Sequence, residues 1–242
     1  MRLIGHRGAR GEAPENTLGG FRYLRSLGVR AVEFDVRLMR DGTLAVIHDD
    51  NLMRTAGVPV SLNALYREDL GRQDNRQGWP NWPEPEPIPT LNQVLSEIRE
   101  FQHIEVEVKP VNDLAVAYQL IDRLLHQLSG WREHAIITSF DLKILQALQQ
   151  SRSPMRRGLL IETLAPKDDP IEMAQRLGCV QIGIKDALCT ARIIERAHAE
   201  EMRCSVWTVN DLDRARQLAY WGADGLITDY PYRMLTANIG EL

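Results

Sequence analysis

Eight short apolar runs recur along the 242-residue chain, and stretches with apolar residues at helical spacing separate most of them. No other feature narrows the fold as much. The runs are Leu3 to Gly5, Ala31 to Val36, Ile104 to Val108, Ala135 to Thr138, Gly158 to Ile161, Val180 to Ile184, Cys204 to Trp207 and Gly225 to Ile227. Helical patterns span Thr17 to Leu27, Leu91 to Glu100, Ala115 to Leu128, Leu142 to Gln150, Pro170 to Leu177, Ala191 to Glu200 and Leu212 to Trp221. Strands that alternate with helices pair in parallel, and the helices cover the outside. Eight such units in roughly 250 residues predict an α/β fold, a (β/α)8 TIM barrel; an open doubly wound sheet is the rival arrangement. Gly28, Gly178 and Gly222 close helical patterns, and Asn16 or Thr17 can cap the first helix.

The whole chain, 1–242, reads as a single domain, and one segment breaks its rhythm. From 44 to 89 the pattern leaves the βα repeat as a small insertion after the second strand, expected to stand over the barrel mouth. Leu44-Ala45-Val46-Ile47 reads as a β segment that carries His48 over the mouth towards His6. The proline-dense end, Pro80 to Pro89, cannot form regular ladders, and the excursion is longer than an ordinary βα connection.

Charge and composition exclude several classes. A net charge of −4 offers no blanket attraction to nucleic acid or an anionic membrane, so phosphate recognition must come from a few placed cations. No apolar stretch reaches ~18 residues, which argues against stable membrane insertion. Cys179, Cys189 and Cys204 have no ligand spacing and read as core thiols, which suits a reducing compartment. A cleaved leader would remove His6, so the cytoplasm is the expected location, with a monomer or homodimer as the expected assembly.

Chemistry gathers where the strands end. In Ala31-Val32-Glu33-Phe34-Asp35-Val36, alternation puts Glu33 and Asp35 on one face, about 7 Å apart along the strand, close enough to grip one hard cation. In His103-Ile104-Glu105-Val106-Glu107-Val108-Lys109, the residues Glu105, Glu107 and Lys109 share a face; Glu107 is assigned to the metal and Lys109 to phosphate or a ligand carboxylate. Glu105 lies a layer deeper and reads as a salt-bridging residue. Buried acids are costly without a compensating cation, and an all-oxygen donor set specifies Mg²⁺ or Ca²⁺ over zinc. His6 and His48 supply the acid and base that cleavage of a P–O bond requires, with their roles left open. Arg7, between Gly5 and Gly8, offers a planar fork for phosphate, and Trp207 walls the pocket against a glycerol or aliphatic group. Asp229 stays outside the site, as a partner for Arg7 or a cap of the following helix.

These residues resemble the glycerophosphodiester phosphodiesterase family along essentially the full length. The resemblance rests on His6-Arg7-Gly8, Pro14-Glu15-Asn16-Thr17, Glu33-Phe34-Asp35-Val36, Asp41-Gly42 leading to His48-Asp49, Arg54-Thr55, Ile88-Pro89-Thr90-Leu91, Glu107-Val108-Lys109, Trp207-Thr208-Val209-Asn210 and Ile227-Thr228-Asp229-Tyr230-Pro231. It implies a (β/α)8 barrel that hydrolyses small-molecule glycerophosphodiesters to sn-glycerol 3-phosphate and an alcohol. It further implies His6 and His48 as acid and base, Arg7 on phosphate, and Glu33, Asp35 and Glu107 around one divalent cation. The departure is Thr55 to Pro59, where many relatives carry a second threonine and a longer glycine-rich loop; it bears on the head group rather than on the chemistry. Two other functions compete. A phospholipase D-like hydrolase of intact lipids needs an exposed aromatic docking surface, for which Trp79 and Trp82 are the candidates, and a non-catalytic phosphodiester-binding barrel should have lost a histidine or an acid.

Overall fold

The computed structural model describes residues 1–164 and 169–239, so the last three residues of the single-domain expectation lie outside it. In chain order the elements are β1 (Arg2–His6), α1 (Leu18–Ser26), β2 (Ala31–Leu38), β3 (Leu44–Val46), α2 (Met53–Ala56), α3 (Arg67–Leu70), α4 (Leu91–Glu97), β4 (His103–Val108), α5 (Leu114–Gln127) and β5 (Ala135–Ser139). They continue with α6 (Leu142–Gln150), β6 (Arg156–Ile161), α7 (Pro170–Arg176), β7 (Gln181–Lys185), α8 (Ala191–Ala199), β8 (Arg203–Trp207), α9 (Leu212–Tyr220), β9 (Gly225–Thr228) and α10 (Pro231–Thr236). The strand order is β1-β9-β8-β7-β6-β5-β4-β2-β3, and β1 also pairs in parallel with β2 through Gly5↔Val32 and His6↔Glu33. That last pairing closes a parallel barrel of eight strands and excludes the open sheet.

Alternation along each strand sorts the chain into two apolar layers. Outward residues such as Leu3, Val32, Phe34, Ile104, Val106, Ile137 and Leu226 join the helices in one large core. The inward apolar cluster is small, Ile4, Ala31 and Ile227 with Trp207 packed against it, because so many inward positions are polar or glycine. Thr17, Thr90, Asp113, Asp141, Asp169, Thr190 and Asp211 each accept a backbone N–H at a helix start. Of the two candidate caps for α1, Thr17 takes the role and accepts from Gly20 N at 3.0 Å. Gly28, Gly178 and Gly222 have φ of 86°, 64° and 86°, the left-handed conformation that lets a helix stop.

The sequence missed or misjudged several elements. β2 runs two residues beyond Val36 because β3 pairs with its end in an antiparallel ladder, Val36↔Val46 to Leu38↔Leu44. β7 begins at Gln181, with Val180 left 43% exposed, and α4 stops at Glu97 rather than Glu100. The short helices α2 and α3 and the final helix α10 carry too few turns to register as periodicity. Residues 44–89 fold around a separate apolar cluster, Ala45, Ile47, Leu52, Leu62, Leu70 and Ile88, joined by Met39 from just after β2. The Trp82 ring lies edge-on to Tyr23 and Trp79, and its Nε1 donates to Glu86, which in turn accepts from Gly19 N. Trp82 therefore staples the excursion to α1, with Trp79 packed against it, and both tryptophans are half-buried.

Candidate active site

Glu33 and Asp35 point inward from β2, and Glu107 stands beside them on β4, where the register pairs Asp35 with Glu107. Each of the three offers a carboxylate oxygen within 4.8 Å of the others. Burial, Asp35 and Glu107 together push the Glu33 carboxyl well above its ordinary range. Burial and then Asp35 push Glu107 up to about 7, against the pull of Lys109. Asp35 is fully buried, yet Arg7, Lys109 and the Asn16 amide hold it below its ordinary range. Glu33 Oε2 accepts from Arg7 N at 3.2 Å, while Glu33 Oε1 is buried without a partner. Crowded acids and an orphaned carboxylate oxygen fit one hard divalent cation held by Glu33, Asp35 and Glu107.

Two histidines flank the acids, and each is anchored the same way. His6 ends β1; its Nδ1–H donates to Asp229 Oδ1 at 2.6 Å, and its Nε2 lies 3.9 Å from Glu33 Oε2. Hydrogen bonding to His6 and Asn210 keeps Asp229 below its ordinary pKa despite burial, so Asp229 accepts and the ring must donate. His48 Nδ1–H likewise donates to Asp49 Oδ1 at 2.6 Å, and the His48 carbonyl accepts from Arg37 Nε at 2.7 Å. Burial lowers the pKa of both imidazoles, and with each Nδ1–H spent on an aspartate it is Nε2 that is left for proton transfer.

Arg7 sits in the left-handed region at φ 51°, followed by Gly8 at φ 91°, a turn that folds the arginine back over the barrel. Gly5 permits that fold, since a Cβ there would come within 2.0 Å of Gly8 O. The sequence read Arg7 as a phosphate fork, but two of its nitrogens already face acids. Its Nε is 3.1 Å from Asp35 Oδ2 and its Nη1 donates to Glu15 at 3.0 Å, which leaves Nη2. Lys109 Nζ contacts Glu107 and lies 3.0 Å from Asp35 Oδ1. Arg54 from α2 grips both Glu15 oxygens at 2.6 and 2.8 Å and donates to Asp49 at 2.7 Å. An unbroken line of ion pairs and hydrogen bonds thus runs from His48 through Asp49, Arg54, Glu15 and Arg7 to Asp35.

His6, Arg7, Glu33, His48, Glu107, Lys109 and Trp207 all line one cavity of about 460 Å³ at the C-terminal end of the barrel. The fold therefore brings the candidate site residues together; Asp35 alone does not line the cavity, lying buried beneath it against Lys109, Arg7 and the other two acids. Phe140 packs edge-on against Trp207, with ring centroids 5.3 Å apart. Glu105 also lines this cavity but stands outside the cluster of metal ligands; its Oε1 pairs with His103 Nε2 at 3.1 Å, one layer down. Asp229 does not orient Arg7. It orients His6, held by Asn210, whose Nδ2 donates to Asp229 Oδ2 at 2.9 Å. Sequence reasoning gave Glu15, Asn16, Asp49 and Arg54 no part in the site, offering Asn16 only as a helix cap, although all four fall in the motifs that carry the family resemblance.

Comparison with known proteins points the same way. The Glycerophosphoryl diester phosphodiesterase family matches residues 6–233. A glycerophosphodiester phosphodiesterase of Caldanaerobacter subterraneus subsp. tengcongensis is 25% identical over 236 residues, covering 96% of both chains. One of Bacillus altitudinis is 24% identical over 234 residues, again covering 96% of both. Among solved structures, an Oleispira antarctica phosphodiesterase in complex with the product sn-glycerol-3-phosphate superposes with a TM-score of 0.86 at 24% identity, covering 98% of this chain and 96% of that one. A match that begins at His6 and ends past Asp229, over a closed barrel with both residues at its mouth, leaves one conclusion: the chain belongs to the glycerophosphoryl diester phosphodiesterase family.

Proposed function

We propose that this chain hydrolyses glycerophosphodiesters, such as glycerophosphocholine or glycerophosphoethanolamine, to sn-glycerol 3-phosphate and an alcohol. The observation that carries the reading is the meeting of three acids and two carboxylate-anchored histidines around one cavity. The names of the relatives and the product held by the Oleispira antarctica enzyme support it. Glu33, Asp35 and Glu107 would hold one Mg²⁺ or Ca²⁺, which when bound polarises a phosphoryl oxygen and collects developing negative charge. Lys109 and the remaining Arg7 nitrogen bind the phosphate, and Trp207 with Phe140 shields one side of the cavity from water. His6 and His48 divide the proton transfers: one neutral Nε2 takes the proton of the attacking water, while the other histidine, starting as the imidazolium, gives its Nε2 proton to the departing alcohol. Asp229 and Asp49 fix the tautomer that leaves each Nε2 towards the cavity.

A water-soluble diester suits the site better than an intact lipid, because Trp82 of the excursion is packed against α1 and Trp79 against Trp82, both half-buried. The proposed setting is the cytoplasm, in keeping with three buried, unpaired cysteines and with no described helix long and apolar enough to cross a membrane. The test is a chelator and metal add-back assay on glycerophosphocholine with coupled detection of glycerol 3-phosphate. Loss on chelation and recovery with Mg²⁺ or Ca²⁺ is the expected result; no release of glycerol 3-phosphate with any divalent ion overturns the reading.

A further inference from the structure

The barrel has a second hollow, at the end away from the catalytic histidines. The first residues of β1, β4, β7, β8 and β9, namely Arg2, His103, Gln181, Arg203 and Gly225, line a cavity of about 580 Å³, joined by Arg30 from just before β2. A smaller cavity beside it shares His103, Gln181 and Arg203 and adds Arg156 from the start of β6. Four arginines therefore gather on the floor of the barrel, and the strand register holds Arg203 beside Gln181 and Arg2 beside Gly225.

Capping of backbone carbonyls accounts for two of the four. Arg30 Nη1 donates to Arg25 O at 2.8 Å, near the end of α1, and Arg156 Nη2 donates to Glu133 O at 2.7 Å. Arg2 and Arg203 are exposed, and among the described residues neither side chain has a hydrogen-bond or ion-pair partner. The acids around them are engaged elsewhere. Glu105 spends Oε1 on His103 at 3.1 Å, and Asp224 Oδ2 accepts from His198 Nε2 at 2.9 Å and from Cys204 N at 2.8 Å. Glu201, on the smaller cavity, forms no ion pair with any described residue. Burial and then Arg203 lower the Arg156 pKa, and Arg2 adds to this against the pull of Glu133. Like charges gathered without counterions repel, and an anion in the cavity turns that repulsion into attraction.

The lining defines the ligand. Two unpartnered guanidinium forks, backed by two more arginines, suit the dianion of a phosphate group. The cavity falls in the size range of small-molecule sites, and a bare phosphate would leave most of it unfilled. His103 and Gln181, only 4% and 3% exposed, supply acceptors for the remainder. His103 donates from Nε2 to Glu105 and keeps Nδ1, and Gln181 donates from Nε2 to Ser205 Oγ at 3.1 Å and keeps Oε1. Acceptors call for hydroxyls. No described Phe, Tyr or Trp lines the cavity, so a nucleobase finds no ring to stack on. We propose that the floor of the barrel is an anion site separate from the catalytic mouth, which binds a phosphorylated polyol or sugar through Arg2 and Arg203.

The experiment titrates glucose 6-phosphate into the metal-free enzyme by calorimetry at physiological ionic strength, with inorganic phosphate and AMP as comparison probes. Wild type is expected to bind glucose 6-phosphate more tightly than either. Arg2→Gln and Arg203→Gln should each weaken that binding by about tenfold, the worth of one charge-assisted hydrogen bond, and Arg203→Lys, which keeps the charge but loses the fork, should fall in between. Thermal melts check that the variants fold, and kcat and KM on glycerophosphocholine should stay at wild-type values. No binding of glucose 6-phosphate by wild type, or equal binding by wild type and both glutamine variants, overturns the site. A parallel loss of kcat/KM in folded variants overturns its separation from the mouth. Inorganic phosphate or AMP binding as tightly as glucose 6-phosphate overturns the polyol assignment.

Discussion

Each candidate catalytic histidine spends Nδ1 on a carboxylate and keeps Nε2 for the cavity, so proton transfer depends on residues that do none of the transferring. Replacing His6 or His48 by alanine is expected to lower kcat by a factor on the order of 10² to 10⁴ with the melting temperature little changed; near-full activity in either variant would remove that histidine from the scheme. Asp229→Asn tests the anchor itself. The hydrogen bond to Asp229 raises the His6 pKa against the larger, lowering effect of burial. Its loss should move the limb of the pH–rate profile that belongs to His6 to lower pH. The acidic limb moves if His6 is the base, the alkaline limb if it is the acid, and two unmoved limbs would separate His6 from the chemistry. The sequence placed both histidines at strand ends, and so at one end of the barrel. It could not pair His6 with Asp229, since the two are 223 positions apart and only barrel closure brings them to 2.6 Å.

Among the elements, the strands were the most legible because their signal is local. Alternation in β2 and β4 put Glu33, Asp35 and Glu107 on the inward face before any tertiary contact was known. The excursion was legible as an interruption but not as a structure, because its elements are short and its proline-rich end forms no ladder. Its working connection to the barrel is Glu15, which Arg54 and Arg7 together hold down to about 2 against the effect of burial. That depression below an ordinary value of 4.5 stabilises the fold above pH 4.5 and is lost as the pH falls towards about 2. Glu15→Gln is expected to cost roughly 2–3 kcal/mol at neutral pH, with the deficit shrinking as the pH falls through that window. Denaturant melts at several pH values read this directly, and a deficit independent of pH would mean that the ion pairs are not what Glu15 contributes. The same substitution should weaken catalysis, because Asp49 and His48 lose the far end of their support.

At the scale of the whole molecule, crowding three acids is a standing cost of the apo protein that a cation relieves. A divalent ion that binds only the folded chain should therefore raise its stability, by about 2.7 kcal/mol at a concentration one hundred times its Kd. Thermal melts with chelator and with Mg²⁺ or Ca²⁺ measure this without any substrate, and melts insensitive to both ions would sink the metal assignment. The barrel, the inward acids and the histidines at the strand ends were determined by the sequence alone, because strand period and helix spacing are properties of neighbouring residues. Tertiary structure alone decided that Asp229 serves His6, that Arg7 is already engaged by Asp35 and Glu15, and that Glu105 keeps one oxygen unpaired. Partner choice among charged side chains turns on ångström distances across a closed sheet, and no local pattern in a chain encodes which strands will meet.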